Sequence, residues 1–166
     1  QMVAKMIAAR GSLGVSRQVY FVSLGGFDMH DFLVAQHPGQ LSLIDDALSS
    51  FYKATVELGV ADQVTAFTAS DFGRTLTSNG DGSDHGWGSH HFVVGGAVKG
   101  GRFWGSLPSV SVTADDQVGQ GRLLPTSAVD QLAATLATWM GVSASELPRV
   151  LPQIGNYTQR DLGFFG

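Results

Sequence analysis

Apolar positions along this chain follow two rhythms, one helical and one extended. At the start, Met2, Met6 and Ala9, with Val3 and Ile7 beside them, recur at helical spacing and predict a helix over residues 1–10. No capping residue precedes them, so the helix is expected to begin further upstream. Residues 19–24 (VYFVSL) are an unbroken β-branched, aromatic and apolar run closed by Gly25 and Gly26, the signature of a buried strand. Pro38 and Gly39 then introduce a helix through Leu41, Ile44, Leu48, Phe51, Thr55 and Leu58, which Gly59 ends. Residues 64–69 (VTAFTA) form a second strand. Further on, residues 92–98 and 102–104 read as a hairpin turning at Lys99-Gly100-Gly101. A last helix after Pro125, capped by Thr126 or Ser127, presents Val129, Leu132, Leu136, Trp139 and Met140. Residues 105–124 read as loop, and the tail, with Ile154, Tyr157, Leu162 and Phe164, is expected to pack onto the domain.

A strand, a helix and a strand in succession predict two parallel strands joined by a right-handed crossover. The fold class expected is therefore α/β, a mostly parallel sheet flanked by helices with an antiparallel hairpin. Residues 1–166 read as one part of a single domain, incomplete without an upstream half.

Composition narrows the function classes. The 166 residues are 43% hydrophobic and 14% charged, too apolar for a disordered chain, and the 22 glycines argue for many tight turns. A formal charge of −4 with scattered Lys and Arg excludes a nucleic-acid partner, which demands a concentrated basic face. With no cysteine, disulfide frameworks, zinc ribbons and thiol nucleophiles are ruled out. No apolar run reaches the roughly 18 residues of a membrane span.

Candidate chemistry concentrates between positions 28 and 91. All five histidines, His30, His37, His85, His90 and His91, lie there with Asp28, Asp71 and Asp84. Parallel strands would end at one sheet edge, where ligands of open α/β sheets bind. That edge would receive Asp28 and His30 from the first strand and Asp71 from the second. The polar, glycine-rich loop 71–91 begins at the same edge, and loops of about twenty residues inside a domain are usually functional. Asp28 and His30, two apart, share a side of an extended chain. Carboxylates with imidazoles suit a divalent metal, Zn²⁺, Mn²⁺ or iron, and with fewer imidazoles Mg²⁺ or Ca²⁺. Two ions about 4 Å apart would polarise a phosphoryl or sulfuryl ester.

The segments GGFDMH, FTASDFGRT and SDHGWGSHHFVVGGAVKGG, the helix with Asp45 and Asp46, and the endings PTSAVDQLAATLATWMGV and NYTQRDLGFF resemble a bacterial family, the domain of unknown function 1501. That family is usually grouped with the alkaline phosphatase and sulfatase superfamily. The resemblance implies an alkaline-phosphatase-like fold, a metal-dependent hydrolase of small anionic esters, and twin-arginine export to the periplasm or beyond. It implies that Asp28 and His30 hold one metal, with His90, or alternatively His91, returning to it, and that Asp71 belongs to a second. Phe72 stands where the superfamily has a histidine, so the second metal is weakened, lost, or rescued by Asp84 or His85. No residue matches the serine or threonine nucleophile, which such enzymes carry in their N-terminal half, so no catalytic residue is assigned here.

Each residue also has a plainer reading. Asp28 can satisfy backbone N–H groups in a turn, and Asp71 can cap a short helix. Arg74 can bind a substrate oxygen or lie on the surface. Asp84, His85, His90 and His91 can be solvated loop residues, Asp45 and Asp46 a wet helix face, and His37 an exposed boundary. Trp87 and Trp104 can simply pack. A non-catalytic scaffold that keeps the fold, with at most a structural ion, is the rival to the hydrolase.

Overall fold

A computed structural model describes residues 1–111 and 113–166. Two short helices, α1 (Met2–Ala8) and α2 (Arg10–Leu13), lead through a segment without helix or strand to the long α3 (Leu33–Glu57). The strands β1 (Thr65–Phe67), β2 (Gly73–Ser78), β3 (Ser83–Gly86), β4 (Val93–Gly95), β5 (Gln117–Val118) and β6 (Arg122–Leu123) follow. Helices α4 (Val129–Trp139) and α5 (Leu147–Val150) close the chain. The architecture is mixed α/β, built from helices and short antiparallel strand pairs: β1 with β4, β2 with β3, and β5 with β6.

Several expectations are corrected here. Among the described residues no strands pair in parallel. β1 runs antiparallel to β4, with Ala66 opposite Val94. Residues 19–24 form no strand and pair with no other segment among the described residues, and Phe21 is 92% exposed. Their composition favours a strand, but a strand exists only when a neighbour takes its N–H and C=O groups. The expected hairpin of 92–98 with 102–104 is absent as well. The C-terminal tail takes the place of the second arm: Lys99 N–H donates to Phe164 O at 2.8 Å, and Val98 bridges Phe165.

Helix α3 starts at Leu33, well before Pro38, which lies inside it. Phe32 turns the chain in the left-handed region (φ 54°), and Leu33 N–H donates to Asp81 O at 3.2 Å. Docking against residue 81 thus begins the helix, and Pro38 removes only one bond, the one Val34 O would have accepted. Helix α4 begins after Ala128 rather than with a Thr126 or Ser127 cap. Ala128 has no side-chain oxygen, so only half a capping box forms, Ala128 N–H donating to Gln131 Oε1 at 2.8 Å. Thr126 instead donates to Ser106 O. The buried face of α4 centres on Ala134 and Thr135, while Val129 is exposed.

The tail packs as expected. Ile154 is fully buried against Ala134 and Leu147, with Val142, Leu151 and Tyr157 around them. The Thr135 hydroxyl donates to Gln131 O and accepts Leu162 N–H, each at 2.8 Å, so its burial leaves no orphan.

The stretch 71–91 is largely a hairpin rather than a loop. Its interior is polar: Thr75 Oγ1 and Ser83 Oγ lie 2.9 Å apart, Ser83 Oγ donates to Thr75 O at 2.6 Å, and Asp84 N–H donates to Thr75 Oγ1 at 3.2 Å. Hydroxyls therefore do what alternating apolar side chains do in ordinary hairpins. The 105–124 stretch also holds a hairpin, β5–β6, whose turn accepts Leu76 N–H at Gly121 O (3.0 Å).

Candidate metal centre

Two separate pieces of chain make the site. The first is the 27–32 turn, where Met29 N–H donates to Phe27 O at 3.0 Å. Met29 is buried at 4% exposure, and Asp28 and His30 on either side of it face out, as their spacing of two predicts. The second is the β2–β3 hairpin, whose His85 stands opposite Arg74 in register. The hairpin tip seats beneath the turn because residue 82 is glycine. A β-carbon there would lie 2.2 Å from His30 O and 2.5 Å from the His30 carbonyl carbon, closer than real contacts allow.

The result is a triangle of ligand atoms. Asp28 Oδ1 lies 3.0 Å from His30 Nε2 and 2.7 Å from His85 Nε2, and the two ring nitrogens are 3.2 Å apart. An ion bonded at about 2.0–2.1 Å to such atoms has neighbouring ligands about 2.8–3.0 Å apart on one face of an octahedron, or about 3.3–3.4 Å apart on one face of a tetrahedron. The observed edges are close to these ranges. All three residues are exposed, so the opposite face lies open.

The surroundings orient this triangle. His30 Nδ1 faces Asp84 Oδ1 at 3.3 Å, and Asp84 Oδ1 accepts from Asn79 Nδ2 at 3.1 Å. A proton on Nδ1, held toward Asp84, leaves the Nε2 lone pair aimed at the centre, the usual outer-carboxylate arrangement of metal-binding histidines. The His85 ring stacks on Phe72, centroids 3.7 Å apart and planes 6° apart. The hydrogen bond from His85 holds the Asp28 carboxyl below its ordinary range; loss of water, the next-largest influence, opposes it, and the charges of His85, His30 and Arg74 add to the lowering.

Of the sequence-derived candidates, Asp28, His30 and His85 come together, and Asp84 stands behind His30. Among the described residues Asp71 and His90 are not part of the group whose ligand atoms lie within 4.8 Å of one another. His91 Nδ1 lies 3.4 Å from Thr68 Oγ1, and partial loss of water, then the charge of His90, lowers its pKa. Arg74 gives Nη1 to Ser83 O at 2.6 Å and Nη2 to Phe27 O at 2.7 Å and Asp28 Oδ1 at 3.2 Å. Sequence reasoning missed Asn79, Gly82 and the stacking role of Phe72. Only the hairpin register, invisible in a polar stretch, would have disclosed them.

Fold and site together define a mixed α/β protein with an exposed two-histidine, one-carboxylate triad able to hold a metal ion. The chain belongs to the family described as Protein of unknown function (DUF1501), whose model matches residues 1–148. No curated protein matches it. No solved structure matches it either.

Proposed function

We propose that Asp28, His30 and His85 bind one divalent transition-metal ion, and that the whole protein uses it to hydrolyse a phosphoric or sulfuric ester. The observation that carries this reading is the triangle of one carboxylate oxygen and two ring nitrogens with edges of 2.7–3.2 Å. Two imidazoles favour zinc, manganese or iron over magnesium or calcium. A bound ion of this kind supplies Lewis-acid polarisation of an ester oxygen or of a water.

The chain's own groups have definite parts. Ligation by His85 needs its Nε2 lone pair, so the Nε2 proton directed at Asp28 has to leave that nitrogen when an ion binds. Asp84 keeps His30 in the tautomer that ligates. Support for the ester class is the family to which GGFDMH, FTASDFGRT and SDHGWGSHH point, which is usually grouped with the alkaline phosphatase and sulfatase superfamily. In this reading residues 19–24 and β1 join a larger, partly parallel sheet, the hydroxyl nucleophile comes from upstream, and the protein is exported by the twin-arginine route. The exposure of Phe21 (92%) and Val19 (85%) supports a covering segment, which would also exclude water from the open site.

The test is zinc titration of this chain and ester hydrolysis by the full-length protein. One ion per chain, lost in Asp28→Ala, together with hydrolysis of aryl phosphates or sulfates abolished by the same change, is the expected result. Hydrolysis untouched by Asp28→Ala rejects the assignment. A second reading, a non-catalytic metal-binding protein, is favoured by Phe72, which fills the position after Asp71 with a ring stacked on His85. Tight zinc binding without turnover on either ester panel selects it.

A further inference from the structure

We propose that Arg74 is the positioning residue of this centre, a clamp that sets the separation of Asp28 and His85 before an ion arrives. The inference rests on the reading that Asp28, His30 and His85 bind the ion, and assigns Arg74 to the scaffold of the site rather than to substrate.

The ligands lie on two chain segments more than fifty residues apart, 55 between His30 and His85 and 57 between Asp28 and His85. Something must hold the segments in register, or the ion must organise them at the expense of its affinity. Arg74 touches both. Its Nη2 donates to the Phe27 carbonyl and to Asp28 Oδ1, and its Nη1 donates to the carbonyl of Ser83, two residues before His85. The planar guanidinium offers these donors in a fixed fork, so the distance between the two carbonyls is set by one rigid group. The same group lies over the Phe72 ring, 5.1 Å from its centroid, and that ring is stacked on His85. Arg74 thus governs the Asp28 side by hydrogen bonds and the His85 side through Phe72. Its side chain is only 20% exposed, against 58% for Asp28, so the clamp is the better-buried partner.

Arg74 is also a cation beside the ion's place, and repulsion alone would make its removal tighten binding. The two effects separate by substitution. Arg74→Lys keeps the charge but loses the fork, whereas Arg74→Ala loses both. Zinc affinity of the parent and both variants, from competition with a chromophoric chelator, decides between them, with the visible spectrum of the Co²⁺ form as a report on ligand geometry. The clamp predicts that both variants bind about 10–100-fold more weakly and that their cobalt spectra change at saturation, with Lys failing to restore either. Affinity in Arg74→Ala equal to or tighter than the parent's, or full rescue by Lys, overturns the clamp while leaving the metal reading intact. If the parent binds no zinc, the metal reading fails, and the clamp is judged in metal-free protein by the NMR cross-peak between the His30 and His85 rings. Its loss in both variants supports the clamp, and its persistence in either overturns it.

Discussion

The C-terminal helices and the metal-site face are held together by opposite means. Around Ile154 the cohesion is apolar: Ala134, Leu147 and Ile154 are at most 5% exposed, and the one buried hydroxyl, Thr135, has both its bonds made inside. Around Asp28 the candidate ligands are roughly half exposed, at 45–58%, and backbone hydrogen bonds, a hydroxyl pair and one guanidinium hold the segments. Apolar burial is non-directional and gives stability wherever area is removed from water. Directional bonds give less net stability but fix angles and distances, which an ion needs. Stability and site geometry are thus supplied by separate regions and should respond separately to mutation.

The largest effect is expected at the apolar end. Ile154→Ala should lower unfolding stability by about 2–5 kcal/mol in denaturant melts, with zinc affinity below the transition unchanged within about threefold. A matching loss of affinity would show the two regions to be coupled. Gly82→Ala should do the reverse. Its β-carbon would meet the His30 carbonyl, so the hairpin tip must back away from the turn. Zinc binding should weaken by about 100-fold in calorimetric titration, with the near-ultraviolet signal of the Trp139–Phe165 stack retained.

Asp84→Asn should weaken zinc binding by about tenfold, since His30 loses its outer carboxylate, while Asp71→Asn should shift it less than about twofold. A larger loss from Asp71 would place that carboxylate at the ion after all. The smallest effect is a pH dependence away from the triangle. Because the folded environment lowers the His91 pKa, the unfolded chain takes that proton first as pH falls. Its contribution is therefore complete above about pH 6.5 and declines below, flattening under the lowered value. Melting curves from pH 8 to 5 should show a small fall in Tm that His91→Gln removes.

The ease of reading individual residues followed from how local their reasons are. Asp28 and His30 were legible because a spacing of two around an apolar Met29 places both on one side. The helix around Ile44 and Leu48, the strand at 65–67 and the packing of Ile154 and Phe164 were legible from period and composition. His85 was visible only as one of several loop histidines. Its partnership depends on a hairpin whose interior is Thr75 and Ser83, and hydroxyls carry no strand alternation. Likewise Pro38 read as a helix start because proline favours first turns, yet a distant carbonyl, Asp81 O, starts the helix earlier.

Sequence by itself determined the chemical stock of this protein: no thiol, no basic face, histidines and aspartates gathered between positions 28 and 91, and helices wherever the apolar period is 3.6. Tertiary structure alone decided which of those side chains meet. Choosing His85 over His90, and an antiparallel partner for 65–67 over a parallel one, depends on hydrogen bonds between segments far apart in the chain. Such pairings are set by the geometry of both partners together, and neither segment's residues contain that information alone.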